Sequence, residues 1–150
     1  MIYTPLVQKA MKLSYAVHHG QTDRSGVPYI FHPFHVAEAV CAVMPEEIPV
    51  CAALLHDVLE DTDVTLEQLE KEFPKEVAEA VSLLTHGEKE DYFDYIRRLR
   101  GNPIAVQVKL MDLSHNMDQS RLDGCNSVTD EQKRMWEEKY KKAAALLREA

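Results

Sequence analysis

The sequence predicts an all-α fold: a single compact helical domain over residues 1–150, with about seven helices. Three observations predict it. Apolar residues recur at the spacing of a helix face along most of the chain. Helix starts are marked by Thr4-Pro5 and Asn102-Pro103, and by the capping boxes Thr65-Leu66-Glu67-Gln68 and Thr129-Asp130-Glu131-Gln132. No stretch alternates apolar and polar residues as a half-buried strand does.

The first helix follows Thr4-Pro5, with Leu6, Ala10, Leu13 and Val17 as its apolar stripe, and Gly20 can end it. Residues 20–29 read as a loop, polar and rich in groups able to touch a ligand, with Gly20 and Gly26 permitting close backbone approach. His32-Pro33 begins a second helix that buries Phe34, Ala37, Val40, Cys41 and Met44 and stops at Pro45. A third helix is expected over residues 46–61. A short helix follows Thr65 and ends at Phe73, and Pro74 starts the next, with Val77, Ala80, Val81 and Leu84 inward. Residues 85–91 are polar and read as a mobile connection. Tyr92 to Arg100 is helical, and Gly101 ends it. The helix from Ile104 to about Ser120 carries Val108, Leu110, Met111 and Leu113 and is expected to be central. The last helix, Thr129 to Ala150, has Trp136, Tyr140, Ala143 and Leu147 on one face, which is expected to pack on the core.

A chain with 45% apolar and 28% charged residues and only five glycines has the composition of a soluble globular protein. Its net charge of −8 argues against nonspecific nucleic-acid binding, which needs a cationic footprint. An anionic small molecule remains compatible, because a bound metal and local Lys or Arg can reverse the local field. Cys41, Cys51 and Cys125 have no metal-type spacing. The first two lie in apolar stretches and read as core, which fits a reducing compartment. No run is long and apolar enough for a membrane span, so the expected location is cytoplasmic.

Chemistry concentrates in Leu54-Leu55-His56-Asp57-Val58-Leu59-Glu60-Asp61. Charged groups among leucines are costly unless paired or bound to a cation. His56 and Asp57 offer a nitrogen and an oxygen ligand, and Glu60 can share their helix face. Downstream, Asp112 is a carboxylate in an apolar helix and also needs a partner, with Asn116 four residues on and Lys109 nearby. His32 precedes a helix start, where a side chain can reach into a pocket. His32, His56, Asp57 and Asp112 are therefore a candidate two-nitrogen, two-oxygen set, better suited to Mn, Fe, Zn or Co than to Ca. His115 reads as a helix-surface or supporting group. Arg97, Arg98 and Arg100 read either as a solvated helix face or as a phosphate-contacting edge.

Ordered blocks make a resemblance specific: His18-His19-Gly20-Gln21, Ser25-Gly26, Pro28-Tyr29, His32-Pro33, His56-Asp57-Val58-Leu59-Glu60-Asp61-Thr62, and Lys109-Leu110-Met111-Asp112 with His115-Asn116-Met117. Over roughly residues 10–120 the chain resembles the HD-domain metal-dependent phosphohydrolases, and more narrowly the hydrolase domain of RelA/SpoT proteins and their small stand-alone relatives. The resemblance implies one divalent metal, usually Mn, on His32, His56, Asp57 and Asp112. It implies a catalytic acidic pair at Glu60 and Asp61 and a nucleotide-lining Asn116. The activity implied is hydrolysis of the 3′-pyrophosphate of guanosine tetra- or pentaphosphate, the alarmones of the stringent response, to GDP or GTP and pyrophosphate.

Within the 20–29 loop, Arg24, Ser25 and Tyr29 are candidate substrate contacts, Arg24 through stacking on a base and Tyr29 through shaping its pocket; Lys109 is either a phosphate contact or the partner of Asp112. The chain departs from the family at Asp23, Leu113 and Asp118, where basic residues are usual. Those departures favour, as an alternative, an HD phosphohydrolase acting on another nucleotide or phosphorylated metabolite. A further alternative is a metal-stabilised nucleotide-binding sensor with no turnover, against which the intact Glu60-Asp61 pair argues. The sequence leaves the oligomeric state open.

Overall fold

Helix α3 (Glu47–Leu55) is the centre of the molecule, and its position follows from its composition. Every residue from Pro49 to Leu55 is buried, so the helix is apolar all round and must be enclosed by its neighbours. In the computed structural model, which describes residues 1–123 and 125–149, that enclosure comes from α1 (Pro5–His18), α2 (Phe31–Val43), α6 (Lys75–Leu84) and α8 (Pro103–Asn116). The remaining helices are α4 (Val58–Asp61), α5 (Leu66–Glu72), α7 (Tyr92–Arg98) and α9 (Asp130–Arg148), with single 3-10 turns at Leu99–Gly101 and Gln119–Leu122. Among the described residues the fold is all-α, and the nearest approach to a strand is one isolated bridge between Thr22 and Pro28.

Among the described residues nine helices stand where about seven were expected. One difference is the helix expected over residues 46–61. It breaks at His56-Asp57, where Asp57 takes φ −104° and ψ 0°, and restarts as the four-residue α4. The caps are those the sequence announces. Thr4 Oγ1 accepts from the Val7 amide and Asn102 Oδ1 from the Ala105 amide, and both capping boxes are closed.

Helix α1 is rotated from its expected stripe, burying Val7, Ala10, Ser14 and His18, while Leu6, Leu13 and Val17 are only partly covered. Helix α8 is one-sided, burying Ala105, Val108, Asp112 and Leu113, so α3 and not α8 is the fully enclosed helix. It ends at Asn116, and Asp118 caps the following turn. Cys41 and Cys51 are core residues, as their surroundings predict. In α9, Ala143, Ala144 and Leu147 join the core and Tyr140 packs partly buried against it, whereas Trp136 is only partly buried and turned to the cleft; the expected final residue, Ala150, lies outside the described residues. Hydrogen bonds span the 85–91 connection, which was expected to be mobile. Asp91 caps α7, and the Arg98 guanidinium binds Glu90 and the carbonyls of Leu83 and Thr85.

A candidate metal centre and its cleft

The break between α3 and α4 places Asp57 in the wall of a cleft of about 460 Å³ with His56 buried beside it, where the turn frees both side chains to converge with residues from α2 and α8. His32 Nε2 lies 2.8 Å from Asp112 Oδ1 and 3.8 Å from Asp57 Oδ2. His56 Nε2 lies 3.1 Å from Asp57 Oδ2 and 3.5 Å from Asp112 Oδ1. Ligand atoms of His32, His56 and Asp57 all fall within 4.8 Å of one another. The four residues singled out from the sequence as a ligand set thus come together from α2, α8 and the break between α3 and α4.

The surroundings present the correct nitrogens. His56 Nδ1 meets the Ala53 carbonyl at 2.6 Å, so in the neutral ring Nδ1 carries the proton and Nε2 the lone pair. That Nε2 is buried and has no hydrogen-bond partner among the described residues, although it points into a nest of carboxylates. A buried imidazole nitrogen left without a donor is costly, and a divalent cation is the partner that the donor set around it fits. On the other ring, His32 Nδ1 lies 2.8 Å from His115 Nδ1, again directing Nε2 inward. His115 suits the accepting role: burial, then Arg121 and the neighbouring His32 and His35, push its pKa down to about 3. Its ring stacks on His32 and on His35, with centroids 5.0 and 3.8 Å apart. Tyr29 Oη donates to Asp57 Oδ2, fixing that carboxylate, and burial followed by Asp57 raises the phenol pKa.

Positive charge is favoured at His56. Burial opposes a charge on His56, but Asp57 and Asp112 outweigh it and hold the imidazole well above its usual value. Asp57 is brought down to about 2 because His56 overcomes the effect of burial, and Asp112 is held well below the carboxylate range chiefly by Lys109. Lys109 Nζ sits 2.9 Å from Asp112 Oδ2, and Asn116 Nδ2 donates to Asp112 Oδ1 at 3.2 Å. Lys109 and Asn116 therefore hold Asp112 as well as lining the cleft.

Glu60 and Asp61 stand at the cleft edge on α4. Partial burial raises both carboxyl pKa values, and Asp57 adds to the effect on Asp61. The turn is clamped from two sides: Gln21 Nε2 donates to the Asp61 carbonyl at 2.9 Å, and the His86 amide donates to Glu60 Oε1.

The opposite wall belongs to residues the sequence did not mark as functional. Trp136 and Tyr140 of α9 line the cleft with Arg121. Arg24 lies over the Trp136 ring at 4.4 Å, so one face of the guanidinium is already stacked within the protein. Ser25 Oγ donates to the Arg121 carbonyl at 2.5 Å, which joins the 20–29 loop to the 119–122 turn. The departures in sequence have local reasons. Asp23 Oδ1 accepts from the amides of Ser25 and Val27, closing the loop around Gly26 at φ +82°, and its other oxygen lies 3.7 Å from Arg121. Leu113 is core, and Asp118 caps its turn. Arg121 supplies a cation that the local sequence pattern lacks. Arg97, Arg98 and Arg100 do not line the cleft; Arg97 pairs with Asp94 and Arg98 with Glu90.

The HD domain family model matches residues 10–146. The chain belongs to the HD domain family. Among curated relatives of this HD domain is the guanosine-3′,5′-bis(diphosphate) 3′-pyrophosphohydrolase of Haemophilus influenzae, 39% identical over 111 residues, covering 67% of this chain and 16% of the relative. Another is the bifunctional (p)ppGpp synthase/hydrolase SpoT of Escherichia coli, 35% identical over 124 residues, covering 73% of this chain and 18% of the relative. The HD domain thus spans less than a fifth of either relative's length. A solved structure of a metazoan SpoT ortholog, described as hydrolysing ppGpp, superposes with a TM-score of 0.83 at 25% identity, covering 99% of this chain and 88% of the other. No helix among the described residues is long and apolar enough to cross a membrane.

Proposed function

We propose that this HD domain, residues 1–150, is a divalent-metal-dependent 3′-pyrophosphohydrolase acting on guanosine tetra- or pentaphosphate, with GDP or GTP and pyrophosphate as products. The observation that carries the reading is the convergence of His32, His56, Asp57 and Asp112 around the unpartnered His56 Nε2, with Glu60 and Asp61 beside them. The first four residues would hold the metal, and imidazole with carboxylate ligands suits Mn, which we favour over Fe, Co or Zn. When bound, the cation polarises a phosphoryl oxygen and lowers the pKa of water at the site. Glu60 and Asp61, with raised pKa values, take the proton from the attacking water and return one to the leaving oxygen. Tyr29 and Lys109 orient and neutralise Asp57 and Asp112. Arg24, Ser25, Asn116 and the Trp136–Tyr140 wall contact the nucleoside and its phosphates. The cytoplasm, where nucleotides and reduced thiols coexist, is the compartment implied.

A second substrate reading has its own observation. Asp23 and Asp118 line the cleft, while Lys109 and Arg121 are already paired with Asp112 and Asp23, which suits a less anionic nucleotide. A panel separates the two. The Mn-loaded protein should release pyrophosphate from guanosine tetraphosphate in preference to orthophosphate from nucleoside monophosphates. The reverse preference would reassign the substrate while leaving the metal chemistry intact.

A further inference from the structure

Arg98 lies outside the cleft, yet its guanidinium makes four hydrogen bonds: Nε to Glu90 Oε2 at 2.7 Å, Nη2 to Glu90 Oε1 at 2.9 Å, Nη1 to the Leu83 carbonyl at 2.7 Å and Nη2 to the Thr85 carbonyl at 2.8 Å. The fork ties the end of α6, the 85–91 connection and α7 into one unit. Glu90 extends it, accepting from the Gly87 amide at 3.2 Å through Oε1 and meeting His86 Nε2 at 2.7 Å through its carbonyl. The rings of His86 and Tyr95 pack 4.9 Å apart, and the Arg98 guanidinium lies over the Tyr95 ring at 5.0 Å. His86, held in this way, directs its backbone N–H to Glu60 Oε1.

An exposed ion pair ordinarily contributes little. Here the planar fork spans a carboxylate and two carbonyls, a geometry that a point charge on a flexible stem does not reproduce. Glu60 sits on a helix of four residues and would otherwise sample several rotamers. One backbone donor selects among them, and that donor is only as fixed as its loop.

We propose that Arg98 is a positioning residue for the hydrolytic centre: its fork on Glu90, Leu83 and Thr85 fixes the His86 amide, which sets the Glu60 carboxylate. The inference rests on the assignment of Glu60 to the reaction made above. The test uses the Mn-loaded chain, residues 1–150, with guanosine tetraphosphate. Arg98→Ala should lower kcat roughly tenfold to a hundredfold, the scale of a misplaced reacting group, with KM within about twofold. Arg98→Lys should not restore it. Glu60→Asp cannot reach the His86 amide, so adding Arg98→Ala to it should cost nothing further. Amide hydrogen exchange over residues 85–91 should quicken in both Arg98 variants while residues 50–57 stay protected. Wild-type kcat in Arg98→Ala, a full multiplicative loss on top of Glu60→Asp, or unchanged exchange at 85–91 in Arg98→Lys would each overturn the proposal. The exchange arm needs neither turnover nor the alanine variant. Full activity in Glu60→Gln would instead remove the underlying assignment of Glu60.

Discussion

His56 shows how one side chain carries two jobs. Its Nδ1 is spent on the Ala53 carbonyl, and its Nε2 is left facing Asp57 and Asp112. Residues of this kind were legible in the sequence, because a charge among leucines has few physical explanations. Trp136, Tyr140 and Arg121 were not legible as cleft residues. Aromatics at helical spacing read as core, and only the long-range approach of α9 to the 20–29 loop turns them toward the cleft. Two predictions belong at this scale. Tyr29→Phe removes the hydrogen bond to Asp57 and should weaken metal binding by about 10- to 100-fold, measured by titration calorimetry. In the metal-free protein, Asp57 has its ordinary value of 3.8 lowered to about 2. It therefore contributes stability that is present above pH 3.8 and lost as pH falls toward 2. Acid titration followed by circular dichroism should show a shallower loss over that window in Asp57→Asn; an unchanged profile would remove Asp57 as a source of acid sensitivity.

Helices were read well where capping residues announced them. Thr4, Thr65, Asn102 and Thr129 each accept the amide bond their position predicts. The break at His56-Asp57 carried no Gly or Pro, so nothing local announced it. It arises from the bridge-region conformation of Asp57 and the bond of His56 Nδ1 to Ala53. Asn102 caps the helix that carries Asp112, so Asn102→Ala should cost about 1 kcal/mol and lower Tm by roughly 2–4 °C. Leu54, fully buried in α3, should cost about 2–5 kcal/mol as Leu54→Ala, read from denaturant unfolding. A loss under about 1 kcal/mol would show that α3 is less enclosed than described.

At the scale of the molecule, the fold is an apolar helix wrapped by others, with its charged end opened into a cleft. The family was readable from ordered sequence blocks, the all-α class from helical periodicity and caps, and the metal-type cluster from charged groups placed among apolar residues. The cleft's aromatic wall and the strap on Glu60 required the tertiary arrangement. Because the metal would join α2, the α3–α4 break and α8, its removal should destabilise the whole domain. At a free Mn concentration 100-fold above Kd, the bound ion contributes about 2.7 kcal/mol, so chelation should lower Tm by roughly 5–10 °C. The most direct test of the central claim is pyrophosphate release from guanosine tetraphosphate as Mn is added back to stripped protein. The rate should be nil without metal, rise to a plateau at one ion per chain, and be absent in Asp57→Ala at any metal concentration. Turnover that survives stripping, or that persists in Asp57→Ala, would contradict the account.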